Sequence, residues 1–289
     1  DNKDIYEKFH EIFDCSGHGW TNLQSMHINL PFFDDKEFEK LHAAIRFVLP
    51  ILPALAASSP MLDGKMSNLL DSRLETYRHN CSRIPSITGR VVPESAKSRA
   101  DYEENILAAM YEDIKEFDKK GILQYEWLNA RGAIARFDRN TIEIRVIDVQ
   151  ECVQADIAIV AIVEELIKAI IEEKWLPLEK QHEFSTDSLA DIFEQAIVYA
   201  DETAITDKQY LSCFGLKHPC TARDIWMHLA GVLLPKKSPH RKQIDFIIEH
   251  GVLARRIRDS LGTKPSKKKI LDVYERLCDC LQEGRQFLP

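Results

Sequence analysis

The sequence predicts an α+β fold, and three observations carry that reading. Strand-like alternation is confined to the first half of the chain, helix-spaced apolar residues surround it, and from about Pro177 onward no strand signal is clear. The predicted organisation is an α+β region of catalytic type over residues 1–175 and a helical C-terminal region over 176–289 packed on it.

Asp4 to Phe13 reads as a helix, and Ser16-Gly17-His18-Gly19-Trp20 as a glycine-flanked loop. Leu23 to Leu30 then alternates, with Met26, Ile28 and Leu30 facing one way and Ser25, His27 and Asn29 the other, until Pro31 ends the strand. Glu37 to Ala57 reads as a long helix kinked at Pro50 and Pro53. Ser58-Ser59-Pro60 stops it, a polar loop runs to about Ser72, and Arg73 to Arg83 is rich in basic residues. Tyr102 to Lys119 is an amphipathic helix closed at Gly121. Strands are expected at Ile122–Leu128, at Ile134–Phe137 and from Thr141, the last two joined by a hairpin turn at Asp138-Arg139-Asn140. Ala155 to Glu173 carries a wide apolar stripe. Further helices are expected at Ser188–Thr203, Thr221–Leu234, Lys242–Leu261 and Lys267–Gln286, with Thr221 and Asp224 at capping-box spacing.

The 289 residues are 45% apolar and 29% charged, an ordinary water-soluble composition with ample length for a core. A net charge of -8 argues against a general nucleic-acid binder, because phosphate neutralisation needs basic excess. No run reaches the ~20 apolar residues of a membrane span. The nearest, Ala43 to Ala57, is interrupted by Arg46, Pro50 and Pro53. The seven cysteines are scattered, fit no common zinc spacing and follow no signal peptide, so reduced thiols and a cytoplasmic location are expected. Because the chain opens at Asp1 inside a predicted helix, it reads as the remainder of a longer protein.

The richest stretch is Thr141 to Asp148, where Ile142, Ile144 and Val146 alternate with Thr141, Glu143 and Arg145. Such a strand is stiff and holds a carboxylate and a guanidinium on one face, as a site for metal-nucleotide and an acidic substrate requires. Its plain structural alternative is a solvated face or cross-strand ion pairs. Other clusters are His27 with Asn29, the segment from Ser58 to Arg83, and the hairpin with Arg131 and Arg136. Each alone has an equally plain reading, as a sheet hydrogen bond, a solvated helix or caps on neighbouring carboxylates.

In order and wording the clusters resemble bacterial carboxylate–amine ligases of the glutamate–cysteine ligase type. Asn22-Leu-Gln24-Ser-Met-His27-Ile-Asn29 resembles that family's histidine-bearing strand. Leu49 to Pro60, then Gly64 and Ser72-Arg73, resembles its helix, "Ala-x-Ser-Pro" corner and Ser-Arg loop. Thr141-Ile-Glu143-Ile-Arg145-Val-Ile-Asp148 resembles its "Thr-Val-Glu-x-Arg-x-x-Asp" strand. The resemblance covers about residues 5 to 175.

It implies an antiparallel sheet of glutamine-synthetase/guanido-kinase-like type covered by helices, and ATP-dependent formation of a gamma-glutamyl amide through an acyl phosphate. The implied substrates are glutamate and cysteine or another amine. The implied cofactors are ATP and Mg²⁺, with Mn²⁺ as a substitute, and a homo-oligomer is compatible with the family. By the same resemblance Glu143 is a metal ligand, Arg145 binds phosphate and acts in catalysis, and Arg131 assists on the transferred phosphoryl group. Arg73 holds the substrate carboxylate, and His27 stands beside the nucleotide–metal centre; imidazole is a poor Mg²⁺ ligand but suits Mn²⁺. The family's opening Gly-x-Glu-x-Glu strand and a second, glycine-rich strand have no match here. The competing expectation is therefore a non-catalytic ligase-like protein that binds nucleotide or a partner.

Overall fold

The computed structural model describes residues 3–20 and 23–289, so Asn22 of the histidine-strand resemblance lies outside the described residues. It is a mixed α+β structure, predominantly helical, built round a small antiparallel sheet. Thr141–Asp148 is the central strand, flanked by Ser25–Pro31 on one side and Ala133–Arg136 on the other. The predicted hairpin is present: Ala135 lies opposite Ile142 and Arg136 opposite Thr141.

Register decides which side chains meet. Asn29 and Ile134 both lie opposite Glu143, while Ile28 and Ala133 both lie opposite Ile144. Ile142, Ile144 and Val146 are fully buried, so one face of the sheet is core and the other carries Glu143 and Arg145. Between Met26 and Ile28 the register shifts: the central strand inserts one extra residue at Arg145–Val146. A bulge of this kind re-aims the side chain it carries, here a guanidinium.

The apolar face rests on helices. Asp34 caps Asp35–Val48 by accepting from the amides of Lys36 and Glu37, and this helix packs against Val153–Ile171. The expected kink is a break: the α-helix ends at Val48, a 3₁₀ turn covers Leu49–Ile51 and a short helix runs Pro53–Ala56. Pro50 and Pro53 cannot donate to the ladder, and each starts a new turn instead.

Three other expectations are corrected. Ile122–Leu128 is not a strand but a turn with a 3₁₀ segment at Glu126–Leu128. Its amides are satisfied locally, by the Asp118 carboxylate at Leu123 and by turn carbonyls at Leu128 and Asn129, so no ladder partner is needed. Lys242–Leu261 is two helices, Arg241–His250 and Leu253–Leu261, separated at Gly251, whose φ of 83° ends helical geometry. A two-residue ladder, Ala204–Ile205 with Cys220–Thr221, is too short to leave an alternation signal.

The predicted capping box at Thr221 and Asp224 is formed at the start of Ala222–Leu233. The main core runs from Phe9 to Ala254, through both predicted regions. A smaller one joins Leu253, Ile257, Leu261, Val273, Cys280 and Phe287. Among the described residues no helix is long and apolar enough to cross a membrane.

Candidate active site

The charged face of the sheet carries a cluster centred on Glu143. Its Oε1 takes a hydrogen bond of 2.7 Å from Arg145 Nε and lies 3.1 Å from His27 Nδ1. A carboxylate can only accept, so Nδ1 carries a proton and, in the neutral ring, Nε2 accepts from the Ser25 hydroxyl at 2.9 Å. Neither ring nitrogen of His27 then offers a free lone pair. Arg136 Nη1 lies 3.9 Å from Oε2, the Glu143 oxygen with the fewest partners. The hydrogen bond from His27, followed by the charge of Arg145, outweighs burial and holds the Glu143 carboxyl down at about 2. Burial works against the charge of Arg145, but Tyr77 and Glu143 beside it raise its pKa.

The arginines line a cavity of about 970 Å³. Arg136, Arg139 and Arg145 supply one wall, and Phe9, Trp20 and Trp127 an aromatic one. Phe9 is in ring contact with Trp20 and Trp127, at centroid distances of 5.3 and 5.9 Å. Lys3–Phe13 contributes Phe9 from its buried stripe, and that helix closes the cavity. Three guanidiniums against aromatic rings form a surface for an anion attached to a planar, apolar group.

The other predicted residues sit elsewhere. Arg73 is buried and engages Asp148 through Nε, while Asp148 Oδ2 accepts from Ser58 N at 2.8 Å and Ser59 Oγ at 3.0 Å. The Ser-Pro corner, the Ser-Arg loop and the closing Asp of the strand thus converge on one buried ionic knot. In that knot Arg73 Nη2 is buried without a partner. Arg131 forks onto Glu94, with Nη2 2.8 Å from Oε1, and donates to the Ser86 carbonyl at 3.1 Å. It meets Glu94, Ser86 and Asn129, not Glu143. The structure therefore brings together His27, Glu143 and Arg145; Arg73 borders them through its Nη1, 3.5 Å from the Arg145 carbonyl, and Arg131 is paired with Glu94 instead.

Arg139, Trp20 and Trp127 are cavity residues that sequence reasoning did not single out, and Arg136 gains weight. Arg136 was in principle visible: opposite Thr141 in the hairpin, it is the diagonal neighbour of Glu143. The aromatic wall left no sequence signal, because its members come from one helix and two remote turns.

A model of glutamate-cysteine ligase family 2 matches residues 2–274. The chain belongs to that family. It is also similar to an uncharacterized protein of Archaeoglobus fulgidus, at 31% identity over 286 residues, covering 98% of this chain and 70% of the relative. Membership gives the arginine-lined cavity its chemical frame: the family's chemistry is of ATP-dependent ligase type, acting on small molecules.

The donor set can be tested against the divalent metal that such chemistry usually uses. Among the described residues no group of three or more His, Cys, Asp or Glu side chains could hold a metal ion. The described residues therefore form no metal cage of their own. Mg²⁺ usually takes only one or two protein carboxylates, and the oxygen in this cluster that would hold one is Glu143 Oε2, with Arg136 Nη1 3.9 Å away.

Proposed function

We propose that this family member is an ATP-dependent carboxylate–amine ligase, with glutamate as the acid and cysteine or another amine as the nucleophile, working through an acyl phosphate. The observation that carries the reading is the cavity in which Arg136, Arg139 and Arg145 face Phe9, Trp20 and Trp127. Its size suits a nucleotide-sized ligand, its arginines suit the phosphates and its rings suit the base.

A carboxylate is a poor acyl donor until its oxygen is phosphorylated. Phosphoryl transfer needs alignment and charge neutralisation more than covalent help. Arg145 would neutralise the transferred phosphoryl group, its guanidinium fixed by Glu143 and by Tyr77. Arg136, held by Asp138 at 3.1 Å, would steady the neighbouring phosphate. Glu143 does two jobs in this scheme: Oε1 orients Arg145 and His27, and Oε2 would hold a Mg²⁺ carried by the nucleotide. Such an ion, when bound, supplies charge neutralisation across the phosphates. His27 keeps Glu143 ionised and in place. Arg131 and Arg73 act at one remove, by fixing the hairpin and the Ser58 corner.

A second reading, a nucleotide-binding protein without ligase activity, is favoured by one observation: among the described residues Glu143 is the one carboxylate in contact with both His27 and Arg145. ATP turnover separates the two. With glutamate and a panel of amines, ADP release should depend on glutamate and fall by about a hundredfold or more in Glu143→Gln, the scale of losing a preorganised charge contact. Equal turnover by the mutant would remove Glu143 from the site. ATP binding without turnover under every acid and amine would select the second reading.

A further inference from the structure

A second cavity, of about 470 Å³, adjoins the first and shares Arg136 and Trp127 with it. Its charge has the opposite character. Three carboxylates line it, and two are already neutralised: Asp138 by Arg136 at 3.1 Å, and Glu103 by Arg99 at 2.7 Å. The third, Glu126, has no basic side chain in salt-bridge range among the described residues; it accepts a long hydrogen bond of 3.4 Å from the Asp138 amide and also meets the Asp138 side chain and the Phe137 backbone. Around Glu126 the walls are apolar and aromatic: Leu107, Tyr111 and the stacked pair Tyr125 and Trp127, whose rings lie 5.6 Å apart at 13°.

We infer that this cavity is the subsite of the amine co-substrate, with Glu126 receiving the ammonium group and the aromatic walls its apolar body. The inference rests on the ligase reading proposed above, and deepens it by assigning the second substrate a place. A partly buried carboxylate without a counter-ion is costly, and a cationic ligand removes that cost. Burial, and then the neighbouring Asp138, push the Glu126 carboxyl up, as expected of a group that lacks a cation. Flat rings beside the carboxylate add cation–π attraction. The volume suits an amino-acid-sized molecule.

The topology of the two cavities supports the same assignment. A ligase must keep an anionic donor and a cationic acceptor in separate fields until they react. Here the arginine-rich cavity and the Glu126 cavity meet at Arg136, whose guanidinium touches Asp138 on one side and approaches Glu143 on the other. Arg136 is therefore the junction. The ammonium in the second cavity would give one proton to the Glu126 carboxylate. The freed nitrogen lone pair, approaching from beside Trp127, would form the C–N bond as the C–O bond to phosphate breaks. Inorganic phosphate would leave on the arginine side, and the second nitrogen proton would pass to water.

The test uses the full chain, with cysteine, L-2-aminobutyrate and n-butylamine as probes. Two variants are compared with the parent protein: Glu126→Gln, which removes the charge, and Ala108→Trp, which fills the cavity from an exposed position on its rim. The amine KM should rise about tenfold or more in each, the scale of one charge-assisted hydrogen bond, while the KM values for ATP and glutamate change less than twofold. Calorimetric titration of n-butylamine provides a readout that needs no turnover, with binding weakened in both variants and ATP binding retained. An amine KM or n-butylamine affinity unchanged in both variants overturns the assignment. So does the absence of saturable binding by any probe. Failure of the ligase reading looks different: no turnover with any acid, while n-butylamine binding still depends on Glu126.

Discussion

The buried knot beneath the site makes a pH prediction that can be worked through. Asp71 caps the helix Ser72–His79, its Oδ1 accepting from Leu74 N at 2.9 Å, while its Oδ2 is buried without a partner. The only arginine in the knot, Arg73, is engaged by Asp148. Burial first, and the charge of Asp148 second, push the Asp71 carboxyl up to about 8. A group whose pKa is higher folded than unfolded binds its proton more tightly in the native state. Its contribution is therefore complete below the unfolded value of 3.8 and is lost as pH rises through about 8. Within that window the slope is about -1.4 kcal/mol per pH unit.

His42 acts in the opposite direction. Both its ring nitrogens are buried without partners, and burial, with Arg46 next in effect, lowers its pKa from 6.5 to about 3. Its contribution is present above 6.5 and lost as pH falls through about 3, so the two slopes nearly cancel between about pH 4 and 6.5. From about pH 6.5 to 8 His42 no longer offsets Asp71, and the Asp71 contribution to the parent protein's unfolding free energy should fall by about 2 kcal/mol. Asp71→Asn keeps the cap and stays neutral, so over the same interval it should be flat. Denaturant unfolding at half-unit pH steps, followed by circular dichroism, measures both. A parent protein that is flat or gains stability from pH 6.5 to 8, or a mutant with the parent's slope, would refute a neutral Asp71.

His42→Phe should stabilise the protein below pH 6, because the ring stacks on Phe38 without a polar demand; acid unfolding midpoints of the two proteins decide this. Gly132→Ala should cost about 1–3 kcal/mol, since an added Cβ would lie 2.7 Å from Val146 Cγ1 and 3.0 Å from Val91 Cγ1. Its thermal midpoint should fall, and an unchanged midpoint would contradict that packing. Tyr77→Phe removes the hydroxyl that donates to the Arg131 carbonyl at 3.2 Å and stands beside Arg145. Turnover should drop about tenfold with KM for the amine unchanged, the pattern of a positioning residue acting through Arg145. An equal loss in Arg145→Lys and in the double mutant would place both residues on one path, and additive losses would separate them.

Much of the frame was legible in the sequence because it depends on short-range physics. The alternation of Ile142, Ile144 and Val146 has a period of two, so it assigned core and charged faces without a neighbour. Thr221 and Asp224 need only three residues of separation to make their box. The expected strand at Ile122–Leu128 failed for a related reason. Alternation is compatible with a strand but does not supply its ladder partner, which is not encoded locally, and turn carbonyls took the amides instead.

Function divided along the same line. Glu143 and Arg145, two residues apart on one strand, were found from the sequence as an adjacent acid and base. Whether Arg73 belonged with them was a question of distance between segments that sequence separation does not fix. The tertiary structure joins Arg73 to Asp148 in a buried pair while its Nη1 stays 3.5 Å from the Arg145 carbonyl, and it turns Arg131 toward Glu94. It likewise assembled the cavity from a helix at the start of the chain, a turn at Trp127 and a hairpin arginine. Backbone periodicity sets which way a side chain points. Only the packing of remote segments determines what it points at.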